Sequence, residues 1–142
     1  MLKSILYFFG GCLLIGLIFS FAIRLFFPPL PSITAAFLAS VQIEKYESAH
    51  HLMSSRFKND ISLEKFVETL KKARIAKNKK FKIVSKVKNE EKGTGVITVI
   101  VVANDNTEIP LELHFVLEEG VWKINSLSQS DRQQLQRQRQ RQ

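Results

Sequence analysis

The densest group of chemistry-bearing side chains in this 142-residue chain is Tyr46-Glu47-Ser48-Ala49-His50-His51. A phenol, a carboxylate and two imidazoles this close together could serve general acid–base chemistry or ligate a metal. Neighbouring residues on a helix point about 100° apart, so His50 and His51 do not face one ligand. Helical ligand pairs sit four residues apart, which leaves Glu47 with His51. His114 is the third histidine, and the single cysteine, Cys12, lies far upstream. A zinc site would therefore have to be assembled from a thin set. Tyr46, Glu47 and His51 are kept as pocket candidates. The expectation is no catalytic set, no metal and no cofactor, with one histidine at a helix boundary and the other in water.

The elements around this group follow from periodicity. "PPLPS", 28–32, predicts a stiff extended spacer. Ser32 or Thr34 is expected to cap a following helical region in which Phe37, Val41, Ala49, Leu52 and Met53 recur at helical spacing, with a phase slip near Gln42–Glu44. "RFKND" reads as a loop, and Ser62 as the cap of a helix running through "LEKFVETLKKARIA". From residue 81 the period becomes two. Phe81, Ile83, Ser85 and Val87 are predicted to share one face of a first strand, alternating with Lys82, Val84, Lys86 and Lys88, and "TGVITVIVVAN" to form a central strand. Ile109, Leu111, Leu113, Phe115 and Leu117 are predicted inward on a third, and "VWKINSL" is the last. Pro110 should mark an edge or a bulge, and Trp122 a core plug. Helices followed by a four-stranded antiparallel meander make an α+β domain with helices on one side of a curved sheet.

The formal charge of +8 is concentrated in one band and one tail. Lys71 to Lys88 contains nine positive residues and no acid. Lys71, Lys72, Arg74, Lys77, Lys79, Lys80 and Lys82 form a candidate patch for an anionic partner such as lipid headgroups. The same lysines also suit a helix end and an edge strand. Nucleic acid is not expected, because the band lacks interleaved aromatics. The tail, 128–142, is rich in Gln and Arg and cannot supply a core, so its composition predicts disorder.

Ser4–Ile23 carries no charge. At about 1.5 Å per residue such a run matches the ~30 Å hydrocarbon core, and residues 1–27 read as a transmembrane anchor. A signal peptide cut after Ala22, or lipidation at Cys12, are the alternatives. Lys3 before the run favours an N-terminus inside and the domain outside. The expected location is thus the inner membrane, single-pass, with a periplasmic C-terminal domain, or a secreted form after cleavage.

Phe37-Leu38, Tyr46 to Ala49, Ser54 to Phe57, Ser62 to Phe66 and Gly120 to Ile124, in this order before and within four strands, resemble the nuclear transport factor 2-like superfamily over residues 33–127. The resemblance implies a cystatin-like cone of helices against a curved sheet. Enzymes of that superfamily, the ketosteroid isomerase and dehydratase types, place an ionisable base and a tyrosine or carboxylic acid inside the cone. Here the inward strand positions are apolar. Other relatives are membrane-tethered assembly components of secretion machines. The expected function is therefore a non-enzymatic, membrane-anchored interaction or assembly module with a protein partner, possible self-association through the sheet, and possible anionic-lipid contact. The alternative is a small-molecule-binding or isomerase/dehydratase-like protein using the cone cavity.

Overall fold

The computed structural model describes residues 28–130 and the isolated positions Gly16, Ile18 and Gln140. The anchor expected over residues 1–27 lies almost wholly outside the described residues, as does most of the tail expected over 128–142, of which Ser128 and Gln129 instead end the last strand. Among the described residues no helix is long and apolar enough to cross a membrane.

Helix α1 spans Leu30–Gln42 and starts earlier than its expected caps. Pro29 is its extended N-cap, and Pro31 occupies the first turn, where a missing N–H costs nothing. Neither Ser32 nor Thr34 caps it. Thr34 is buried and its hydroxyl donates to Leu30 O at 2.9 Å. The segment 28–32 is thus extended only at Pro28 and Pro29, because burying Leu30 in the core draws the following residues into the helix.

Helix α2, Tyr46–His51, is followed by Leu52–Ser54, which docks on the last strand: Ser54 N donates to Ile124 O at 2.8 Å and Ile124 N to Leu52 O at 3.0 Å. "RFKND" is not a loop. It lies in a short helix, α3, Ser55–Asp60, whose first turn is capped by Ser54 Oγ accepting from Phe57 N at 3.1 Å. Helix α4, Leu63–Lys72, is capped by Ser62 as expected but stops short of Ala76.

Strands β1 (Asn78–Asn89), β2 (Thr94–Ala103), β3 (Glu108–Glu118) and β4 (Val121–Gln129) form one antiparallel sheet in the order β1-β2-β3-β4. Ile97, Val99 and Val101 of β2 and Ile109, Leu111, Leu113 and Phe115 of β3 are buried beneath the helices. They join Phe37, Leu38, Met53 and Phe66, each under 2% exposed, in one continuous core.

Two strand expectations fail for identifiable reasons. A register shift between Ile83 and Ser85 leaves Val84 without a partner, and the bulge reverses the side-chain phase. Ser85 and Val87 therefore leave the helix-facing side, and Val87 is 61% exposed. Leu117, near the end of β3, is also exposed, lying against the Gly93 turn. Pro110 sits on an interior strand and not at a bulge of β3. Its carbonyl accepts from Ser130 N at 3.1 Å, so its nitrogen, on the same side of the strand, faces Ser130 just past the end of β4, where only the last rung of the ladder lacks a donor.

Gly95 sets how closely α1 approaches the sheet. A Cβ there would come within 2.6 Å of Leu30 Cδ1. Gly95→Ala and Leu30→Ala are therefore expected to be non-additive in urea unfolding, with a coupling of about 0.5–3 kcal/mol, because truncating Leu30 makes the room that the added methyl group would need.

Candidate functional site

The histidine pair divides by environment. His50 packs against Phe66 with ring centroids 5.3 Å apart and against Phe57 at 6.4 Å, and its Nε2 lies 3.2 Å from Ile61 O. His51 and Glu47 are exposed. His114 lies on the outer sheet face, 3.5 Å from Glu112. Among the described residues no three His, Cys, Asp or Glu side chains converge as a metal would require. Tyr46 is separated from Glu47 and His51: it lines a groove of about 620 Å³ together with Glu44, Lys71, Arg74, Lys77, Asn104 and Asp105.

That groove is built by two helix ends meeting the β2–β3 turn. Helix α1 closes with Lys45 N donating to Ser40 O at 2.9 Å and Glu44 N to Val41 O at 3.1 Å. Helix α4 closes the same way, with Ile75 N to Leu70 O at 3.1 Å and Arg74 N to Lys71 O at 3.0 Å. In each case the residue after the cap is left-handed, a place usually given to glycine. Here it is Glu44, φ 60°, and Arg74, φ 62°. The phase slip near Gln42–Glu44 signalled the first of these turns; nothing in "KKARIA" signalled the second. Glu44→Gly is expected to raise stability by about 1 kcal/mol in thermal unfolding, since glycine meets no Cβ penalty there.

Arg74 pairs with Asp105, whose carboxylate also accepts from Thr107 N at 3.1 Å. Thr107 first, and then the Arg74 charge, holds the Asp105 carboxyl below its ordinary value. A lowered folded-state value means the stabilisation is complete above the ordinary carboxylate range and fades as pH falls through the folded value. Asp105→Asn should flatten the acid limb of the stability curve below about pH 4, as read by thermal melts at stepped pH. Partial burial, and then the neighbouring Glu44 charge, pushes the Tyr46 phenol up, so Tyr46 stays protonated at neutral pH.

The seven basic residues singled out in sequence do not form one patch. Lys71, Arg74 and Lys77 rim the groove. Lys72 pairs with Glu68 at 2.6 Å on the surface of α4. Lys79 falls in the register shift at the start of β1, while Lys80 and Lys82 pair with Val102 and Ile100, on the outer sheet face.

A second cleft, about 260 Å³, lies at the opposite end of α1, lined by Pro28–Pro31, Lys86, Lys88, Gly120 and Trp122. Trp122 is not a core plug. It is half-buried, with Lys88 Nζ 5.7 Å from its ring centroid. The residue of β4 that enters the core is Ile124.

No family model matches the chain, and no curated protein matches it in sequence. Among solved structures it is similar to a Campylobacter jejuni protein that carries the name NTF2-like transpeptidase, at 17% identity and a TM-score of 0.51, covering 69% of this chain and 99% of that one. The fold is NTF2-like. Similarity extends to a SEC-C motif-containing protein from Rhodopseudomonas palustris, at 8% identity and a TM-score of 0.49 over 66% of this chain and 72% of that one. A Kribbella flavida protein is similar at 8% identity and a TM-score of 0.44, over 78% and 96% of the respective chains. From the Campylobacter jejuni structure, at 17% identity, only the fold carries over: helices packed on one face of a four-stranded antiparallel sheet.

Proposed function

We propose that the chain is a non-enzymatic adaptor, held in the inner membrane by its N-terminal apolar run, whose NTF2-like domain joins a protein assembly on the periplasmic side. The observation that carries this reading is the filled interior. The space between helices and sheet, where an enzyme of this architecture would hold an ionisable pair, is occupied by Phe37, Leu38, Met53, Phe66 and Leu70. Such packing leaves the surface as the working part.

The helix-free sheet face supports the reading. It presents Val96 and Val102 of β2 and Pro110 and Val116 of β3, each partly exposed, with Ile100 buried among them. Self-association through the sheet would use this face and not the free edge of β1. A symmetric edge pairing would bring Lys79, Lys80, Lys82, Lys86 and Lys88 of one copy up against the same lysine-rich strand of the other.

Site-specific photo-crosslinking in a bacterial host tests the proposal. Crosslinks to a protein from positions 96, 102 and 116, unaffected by alanine at Tyr46, Glu47 and His51, are expected. Crosslinks lost on those alanine substitutions would argue for a pocket function. The groove around Tyr46 supports the second reading, small-molecule binding, and calorimetric titration showing a ligand displaced by Lys71→Ala would favour it.

A further inference from the structure

We propose that the end of the domain formed by Pro28–Pro31, the β1–β2 hairpin and Trp122 rests on the bilayer surface, where Lys86 and Lys88 take the phosphates of anionic lipid headgroups. The inference rests on the tether proposed above.

Chain length limits where the bilayer can be. Pro28 lies five residues beyond Ile23, the end of the apolar run. Fully extended, five residues span about 17 Å at most, and the headgroup layer on each side of the core is itself roughly 5–8 Å deep. The Pro28 cleft is thus held beside the headgroups. The basic groove at the other end of α1 is about 20 Å further along that helix. The three basic residues of that groove are therefore displaced from the surface that the two lysines of the cleft must approach.

The composition of this end fits the place. The bulge at Val84 brings Lys86 and Lys88 to the helix side of β1, beside the N-terminal turn of α1, whose dipole end is positive. Lys88 also lies over Trp122. Tryptophan and lysine are the residue types that settle at a membrane interface, one with an apolar body and polar edge, the other with an apolar stem and charged head. The two turns at this end also carry four acids, Glu90, Glu91, Glu118 and Glu119, of which two are engaged. Glu90 pairs with Lys88 at 2.5 Å, and Glu118 accepts from Ser55 N at 2.9 Å at the start of α3. Lys86 makes no ion pair among the described residues.

Trp122 is the only tryptophan in the chain, so its emission reports this cleft alone. The full-length protein is reconstituted in vesicles of phosphatidylethanolamine, with or without phosphatidylglycerol, using acyl chains brominated near the headgroup. Quenching that is stronger with phosphatidylglycerol is expected. Each lysine at an anionic surface shifts the docked-to-undocked ratio about fivefold, so Lys86→Gln with Lys88→Gln should shift it about 25-fold toward undocked. Both side chains are exposed, and an unchanged circular dichroism spectrum confirms the fold. Inorganic phosphate added to detergent-held protein should leave the emission unaltered; an equal response to it would make the cleft a soluble-anion site and overturn the lipid assignment. Unquenched emission from protein that stays with the vesicles through an alkaline wash would overturn the contact and leave the tether standing. Protein that washes off would overturn both. Equal quenching of wild type and variant would refute headgroup recognition by the two lysines.

Discussion

Phe66→Ala is expected to destabilise the domain by about 3–5 kcal/mol, a large share of what holds a domain of this size together. Phe66 is 1% exposed and is the hub of an aromatic group, with ring centroids 6.3 Å from Phe37, 5.8 Å from Phe57 and 5.3 Å from His50. These partners come from α1, α3 and α2, and Phe66 itself from α4, so no single element can shift to close the cavity. The Phe57 contact is edge-on at 86°, a geometry that adds to simple area burial. His50→Ala, by contrast, removes a half-buried ring at the rim of the group and should cost less. Urea unfolding followed by circular dichroism measures both. A loss below about 1 kcal/mol for Phe66→Ala would mean that the interior is not packed as described, and the case against an internal pocket would weaken with it.

The second large effect concerns the apolar run. Leu14→Arg places a charge near the middle of Ser4–Ile23. At the centre of a spanning helix that substitution costs about 2.5–3.5 kcal/mol of insertion, or a factor of roughly 70–400 in the inserted-to-excluded ratio. The same change near Ile23 should be tolerated, since a long basic side chain at the end of a span reaches the headgroups, as Arg24 is placed to do. Membrane flotation of tagged variants reads the difference. Equal flotation of Leu14→Arg and wild type would count against a span at these residues.

Much of the fold was legible because its signals are local. The period of two through Ile109–Phe115 and the branched residues of β2 marked buried strands directly, and Ser62 marked the start of α4. What was not legible depends on backbone events without a side-chain signature. One unpartnered residue, Val84, exchanges the faces of β1 beyond it and so moves Val87 to the outer face and the exposed Lys86 to the helix side. Helix α3 is six residues long, too short for its periodicity to stand out from a polar loop. Leu30 joins the core only because Gly95, far away in sequence, leaves it room. The basic band is continuous along the chain, yet the turn at Arg74 and the pleat of β1 distribute it over a groove rim, a helix surface and the outer sheet face. The groove at Tyr46 was hidden for the same reason: it is made by two left-handed helix ends carrying Glu44 and Arg74 where glycine would be the ordinary choice.

The tethered-adaptor account is tested most directly by the fate of the intact chain in cells. A C-terminally tagged full-length protein is followed through alkaline extraction of membranes and then through protease treatment of spheroplasts. The account predicts that the uncleaved chain stays in the membrane pellet and that external protease removes the tag, leaving a short protected N-terminal fragment. Recovery of the uncleaved chain in the alkaline supernatant, or a tag that resists protease until the inner membrane is opened, would contradict it.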